Sequence, residues 1–191
     1  FKSRKRGIGS FTLTGAIRVT DRTIQLPRLG VLRLKERGYF PTDERVVAAT
    51  VSEQAGRWFV SIRTDADPSR PHGTERLGVD VGVRKLAVCS DGTTFQNPRA
   101  LRSAEQRMRV LQKAVTRKKR GGANRRKAVR RLARQHFRVH NIRRDAQHKA
   151  TDAITKRAAV LGLESLHVAG MLKNHRLARS LSDAGLGEVH R

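Results

Sequence analysis

Leu77-Gly78-Val79-Asp80-Val81-Gly82 leads, after three residues, into Leu86-Ala87-Val88-Cys89, a Ser90-Asp91-Gly92 turn and Thr93-Thr94-Phe95-Gln96. Short runs rich in Val and Leu, separated by turn residues, predict a three-stranded meander. Asp80 stands in the middle of the first strand, where a carboxylate is costly to bury without a partner. Its neighbours Gly78 and Gly82 would let a backbone, a phosphate or a metal approach closely.

Beyond Pro98 the period changes. Leu101, Ala104, Met108, Leu111 and Val115 recur at spacings of three and four, one face of a helix. The Gly121-Gly122 pair interrupts it, and a second helix is expected from about residue 124 to 159. Val129, Leu132, His136, Val139, Ala146, Ala150 and Ala153 lie on one side of it. The two should form an antiparallel hairpin over about 99–159. Val160-Leu161-Gly162-Leu163-Glu164 then reads as a short buried strand, and residues 178–183 as a last helix.

Upstream, strands are expected at residues 10–14, 16–19, 23–26, 30–34, 46–52 and 58–63, with Trp58, Val60 and Ile62 on one face. Many short antiparallel strands mean a small barrel or sandwich. Residues 65–76, with Pro68, Pro71 and Gly73, read as a linker between domains at 1–64 and 77–191.

The chain of 191 residues carries 42 Lys plus Arg against 16 Asp plus Glu, a formal charge of +26. Self-repulsion at that density calls for a polyanionic partner, and the patterned apolar blocks exclude a disordered basic tail. Between Arg99 and Arg144 stand 18 Lys or Arg and one acid, Glu105, so the hairpin is a basic rod suited to tracking a phosphate backbone. Arg117, Lys118, Lys119, Arg120, Arg125, Arg126, Lys127, Arg130, Arg131 and Arg134 are its candidate contacts. Lys173, Arg176 and Arg179 join them from the C-terminal segment. Cys89 is the only cysteine, which excludes a disulfide framework and a cysteine-based zinc site within these residues. No apolar run is long enough to cross a bilayer, so no membrane is expected. A prokaryotic cytoplasmic, nucleoid-associated setting is anticipated.

Two functional classes suit Asp80: an acid holding a divalent metal in an RNase H-like nuclease, or part of the first phosphate loop of an actin-like ATPase. The structural alternative is an ion pair with one of the arginines. In an RNase H-like sheet the strand after the first helix lies beside the first strand, which would set Glu164 next to Asp80. Adjacent carboxylates repel unless a cation lies between them, and paired Mg²⁺ or Mn²⁺ ions commonly run phosphodiester hydrolysis. His136, His140 and His148 are a weaker metal candidate, because no Glu lies between the first two as in a zinc hydrolase helix.

Residues 77–88, Ser90-Asp91-Gly92 and Asn97-Pro98-Arg99 resemble the first RuvC motif of the TnpB (OrfB) proteins of insertion sequences. Leu163-Glu164-Ser165-Leu166, Gly170-Met171-Leu172-Lys173-Asn174 and residues 177–185 resemble the second, and the basic hairpin between them is similar too. The resemblance implies an RNA-guided DNA endonuclease, related to type V CRISPR effectors, that binds guide RNA and DNA. Asp80 and Glu164 would be its catalytic, metal-binding acids, with Mg²⁺ or Mn²⁺ as cofactor. It implies an α+β fold: a small antiparallel, wedge or OB-like barrel gripping RNA and target-adjacent duplex, then a partial RNase H-like (RuvC) domain with the helical hairpin. The family's third catalytic Asp and four-cysteine zinc ribbon are expected beyond the second motif, and its N-terminal helical segment has no counterpart. Ser165 stands where a second acid is common and Leu186 where a Trp is. The chain thus resembles a truncated member, with little cleavage expected of it alone, or a nuclease-dead protein that occupies DNA without cutting it.

Overall fold

Strands β1 (Ser10–Thr14), β2 (Arg18–Val19), β3 (Thr23–Leu26), β4 (Gly30–Arg33), β5 (Val46–Gln54) and β6 (Arg57–Thr64) form the first unit in the computed structural model. The structure describes residues 9–40, 42–66 and 73–186 and divides into two units, 1–69 and 70–191. The basic start at residues 1–6 and the Pro68 to Pro71 part of the expected linker lie outside the described residues.

The strands pair, all antiparallel, as two three-stranded sheets, β1-β5-β6 and β2-β3-β4. Among the described residues no strand of one sheet pairs with a strand of the other. They share one core, in which Ile17, Ile24 and Leu26 meet Ala49 and Val51. The β5–β6 hairpin turns on Ala55 and Gly56, both at positive φ (54° and 75°), the requirement of a two-residue turn that follows the strand twist. Along β6, Val60 and Ile62 pack against the core, but Trp58 on the same face is 63% exposed. It sits beyond the end of that core.

The second unit is built on β7 (Glu75–Val81), β8 (Lys85–Cys89), β9 (Thr94–Gln96), α1 (Ala100–Thr116), α2 (Ala123–Thr155), β10 (Ala158–Leu163), α3 (Val168–Met171) and α4 (Ala178–Ala184). Its sheet runs β10-β7-β8-β9: an antiparallel meander with β10 added parallel to β7. A parallel neighbour needs a long crossover, and the α1–α2 hairpin supplies it. Glu75 and Arg76, placed in the linker by their polarity, begin β7 because they pair with Ala158 and Val160.

Period two sends Leu77, Val79 and Val81 to one face of β7, where all are buried, and Gly78 and Asp80 to the other. On the covered face Val79, Ala87 and Cys89 pack with Ile154 of α2. Burial raises the Cys89 thiol pKa above its ordinary value. The hairpin closes through Ala100 and Met108 against Val139, with Leu101 and Ala104 alongside. On α2 the buried positions are Ala128, Val139, Gln147, Ala150 and Ile154. Val129, expected in the seam, is 42% exposed, because Ala128 one position earlier takes the inward direction.

Helix α2 ends at Thr155, four residues short of expectation. The Arg157 carbonyl accepts the Glu75 N–H (3.1 Å). The Arg157 guanidinium donates to Asp91 (2.5 Å), Glu75 (2.9 Å) and Thr93 Oγ1 (3.2 Å), which pins the chain into the strand direction from Ala158 on. That strand is not buried as expected. Only Ala158 is covered, and Val160, Leu161 and Leu163 are 54%, 37% and 51% exposed, since no described strand pairs with the outer edge of β10.

Candidate metal and nucleic-acid site

The β7–β10 register decides where the two predicted acids stand. Gly162 pairs with Gly78 and Leu163 with Val79, so one step further along each parallel strand come Glu164 and Asp80. Strands in a sheet run about 4.8 Å apart. Both residues are exposed, Asp80 on the face away from α2 and opposite Val88 of β8. The expected cost of burying Asp80 therefore does not arise, because alternation directs it to the open face.

Gly78 and Gly162 form the row before the acids. A Cβ on Gly162 would come within 3.9 Å of the Gly78 Cα, and one on Gly78 within 3.7 Å of the Ser90 Cβ, ordinary contacts in both cases. The glycines thus leave a floor without side chains beside the carboxylates rather than relieving a clash. Gly162 was not singled out by sequence; its pairing opposite Gly78 is the signal that does so. Two hard carboxylate oxygen donors on an open surface suit Mg²⁺ or Mn²⁺. Among the described residues no three His, Cys, Asp or Glu come together as a metal-holding group, so neither the expected acids nor His136, His140 and His148 make a larger cluster.

Helix α4 lies against the base of the hairpin. Asp183 is 7% exposed and its carboxylate accepts the backbone N–H groups of Leu101 (2.7 Å) and Arg102 (3.1 Å), with an Arg143 guanidinium nitrogen at 3.5 Å. These are among the donors a helix start leaves unsatisfied, and here the cap comes from another element. Asn97 ties in the preceding loop. It donates to the Val83 carbonyl (2.8 Å) and accepts from the Arg99 N–H (3.0 Å). Gln147 of α2 donates to the carbonyls of Ala184 (3.3 Å) and Gly185 (2.9 Å) at the same, C-terminal end of α4. Leu181, Ala184 and Leu186 complete the joint by packing on Val81, one residue from Asp80.

The predicted basic contacts divide by environment. Arg117 caps the end of α1, and Lys118, Lys119 and Arg120 lie exposed in the hairpin turn. Arg126, Lys127, Arg130, Arg131 and Arg134 are exposed along α2, while Arg125 is half-buried. With 33 residues α2 is about 50 Å long, so the positive charge forms an extended rod. Lys173 and Arg176 are exposed near α3 and α4. Arg179 pairs with Glu105 of α1, which also holds Arg109.

Comparison with known proteins agrees with this arrangement of motifs. Residues 58–175 match the OrfB_IS605 family, described as "Probable transposase". The chain is similar to a "Putative RNA-guided DNA endonuclease" of Streptomyces pristinaespiralis, 37% identical over 78% of this chain and 38% of that protein. It is also similar to InsQ of Escherichia coli, which carries the same description, at 36% identity over 79% of this chain and 38% of InsQ. A Mycobacterium tuberculosis protein so described is 32% identical over 93% of this chain and 44% of its own length. The chain thus spans about two fifths of the length of these relatives. With well over half of its residues inside the family match, Asp80 and Glu164 among them, the chain belongs to the OrfB_IS605 family.

Proposed function

We propose that this chain is the nucleic-acid-holding body and part of the metal centre of an RNA-guided DNA endonuclease, with Asp80 and Glu164 as metal-binding acids. The observation that carries the reading is the parallel β7–β10 register, which brings the residues after Val79 and Leu163 to neighbouring places on an open face. The relatives' descriptions as RNA-guided DNA endonucleases supply the reaction and the partners, guide RNA and target DNA. On this reading the second unit is an RNase H-like, RuvC-type nuclease fold and the first a barrel-like wedge against the nucleic acid. The hairpin's Lys and Arg side chains neutralise phosphates, which gives affinity without reading sequence. Asp80 and Glu164 would hold Mg²⁺ or Mn²⁺. Bound there, such ions supply an activated water and neutralise charge developing on the leaving oxygen. Glycines 78 and 162 keep the floor clear for a phosphodiester. The family match leaves the ATPase reading of residues 77–82 without support.

A second reading is a protein that occupies DNA under RNA guidance without cutting it. The described residues group no third metal ligand with the acid pair, and the two readings differ in whether the rest of the protein supplies one. Mn²⁺ titration followed by electron paramagnetic resonance tests what both readings share about the acids. A bound-ion signal lost in Asp80→Asn and in Glu164→Gln is expected, and unchanged binding in both variants would sink the metal assignment. Duplex cleavage in Mg²⁺ with the C-terminal part of a relative supplied separates the two: cutting that disappears in Asp80→Asn marks the nuclease, and no cutting even then marks the binding protein.

A further inference from the structure

The first unit gathers aromatic side chains in a way its core does not require. The whole chain has eight, one Trp, one Tyr and six Phe. Four of them, Tyr39, Phe40, Trp58 and Phe59, line one cleft of about 360 Å³, within the roughly 300–1,000 Å³ of small-molecule sites. Tyr39 is 77% exposed, Trp58 63% and Phe59 39%. The Tyr39 and Phe40 rings meet edge to face at 5.9 Å, which leaves the Tyr39 ring largely in solvent. Large apolar faces left open together mark a binding surface. Lys35 and Arg57 line the same cleft, as do Asp21 and Glu36, whose carboxylate oxygens can accept N–H groups.

We propose that this cleft is a stacking site for an unpaired nucleobase of a single-stranded segment, with Trp58 and Tyr39 as the platform and Lys35 and Arg57 on the adjoining phosphates. This rests on the reading above that the chain holds nucleic acid. Sequence-tolerant single-strand sites combine these two features, aromatic faces for the bases and cations along the backbone. The polar edge of the base meets Asp21, whose oxygens favour a base that presents an amino or ring N–H group. Helical duplex cannot use the site, since its bases are already stacked. The cleft therefore has a task that the basic hairpin lacks: it distinguishes unpaired from paired strands.

Trp58 is the only tryptophan, so intrinsic Trp emission reports on this cleft alone. The full chain is titrated with end-labelled oligonucleotides of roughly ten nucleotides, within the span of single-strand sites. One arm uses RNA, one DNA, and one an abasic strand of equal charge, with label anisotropy and Trp58 emission read together. Saturable quenching that tracks anisotropy in the RNA or the DNA arm, and is lost with the abasic strand, is expected. The arm that quenches more strongly identifies the source of the base. Tyr39→Ala, at a site too exposed to disturb packing, should weaken single-strand binding by roughly tenfold. Binding by anisotropy with unchanged Trp58 emission overturns the stacking site alone, as does a Tyr39→Ala chain that binds and quenches like wild type. No binding in any arm overturns both the site and the nucleic-acid reading beneath it.

Discussion

The Asp183 carboxylate accepts the backbone N–H of Leu101 at 2.7 Å, across 82 residues of sequence. One contact thus joins the start of the hairpin to the helix that follows the second acid. Through Leu181 and Ala184 the same helix packs on Val81, beside Asp80, so the basic rod and the strand that carries Asp80 share a joint. Asp183→Ala would leave two helix-start donors and the Arg143 guanidinium without this acceptor. The expected loss is about 2–4 kcal/mol, and Asp183→Asn, which keeps an acceptor, should lose less. Urea unfolding of the two variants checks the order.

Ala55 holds φ 54° in the β5–β6 turn, a conformation that costs a residue with a Cβ. Ala55→Asn or Ala55→Gly should stabilise the chain by about 0.5–1 kcal/mol, read as a raised melting temperature. A drop in melting temperature for both would show that the turn is not of this type.

Arg157 holds the Asp91 carboxyl at a pKa of about 2, below its ordinary 3.8, first through their hydrogen bond and then through the Thr93 donors. A depressed carboxylate stabilises the fold fully above its unfolded pKa and stops doing so as pH falls through the folded one. The stability difference between wild type and Asp91→Asn should therefore be constant near neutrality and shrink between about pH 4 and pH 2. Denaturant midpoints across that range would show it, and a difference independent of pH would contradict the clasp.

Arg179 was a candidate phosphate contact, but its guanidinium is paired with Glu105. Replacing it by Ala should leave the salt dependence of RNA binding nearly unchanged. Arg126, Arg130 and Arg134, exposed at four-residue spacing on α2, should each remove about 0.7–0.9 from the slope of log K against log salt. Equal effects from Arg179→Ala and Arg130→Ala would show that Arg179 meets phosphate after all.

The meander and the hairpin were legible because each follows from local period and turn residues, and the place of β10 beside β7 was expected only from the arrangement of an RNase H-like sheet. Three features were not. The exposure of β10 depends on what lies at its outer edge, which its apolar run cannot reveal. The end of α2 at Thr155 is set by Glu75, Asp91 and Thr93, none of them near it in sequence. Trp58 fits the alternation of a core strand, and only the short reach of the Val60 and Ile62 core leaves it in solvent. Of the candidate site, Asp80 and the basic rod came from residue type and pattern and Glu164 from the family resemblance, whereas Gly162 and the capping role of Asp183 needed strand register and tertiary contact.

The most direct test of the central claim is binding of the purified chain to structured RNA, and to duplex DNA, across a salt series. A straight, steep fall of log K with log salt is predicted, with several phosphates neutralised along the hairpin and a smaller slope when Arg126, Arg130 and Arg134 are replaced together. No RNA binding at low salt, or a slope indifferent to those three arginines, would contradict it.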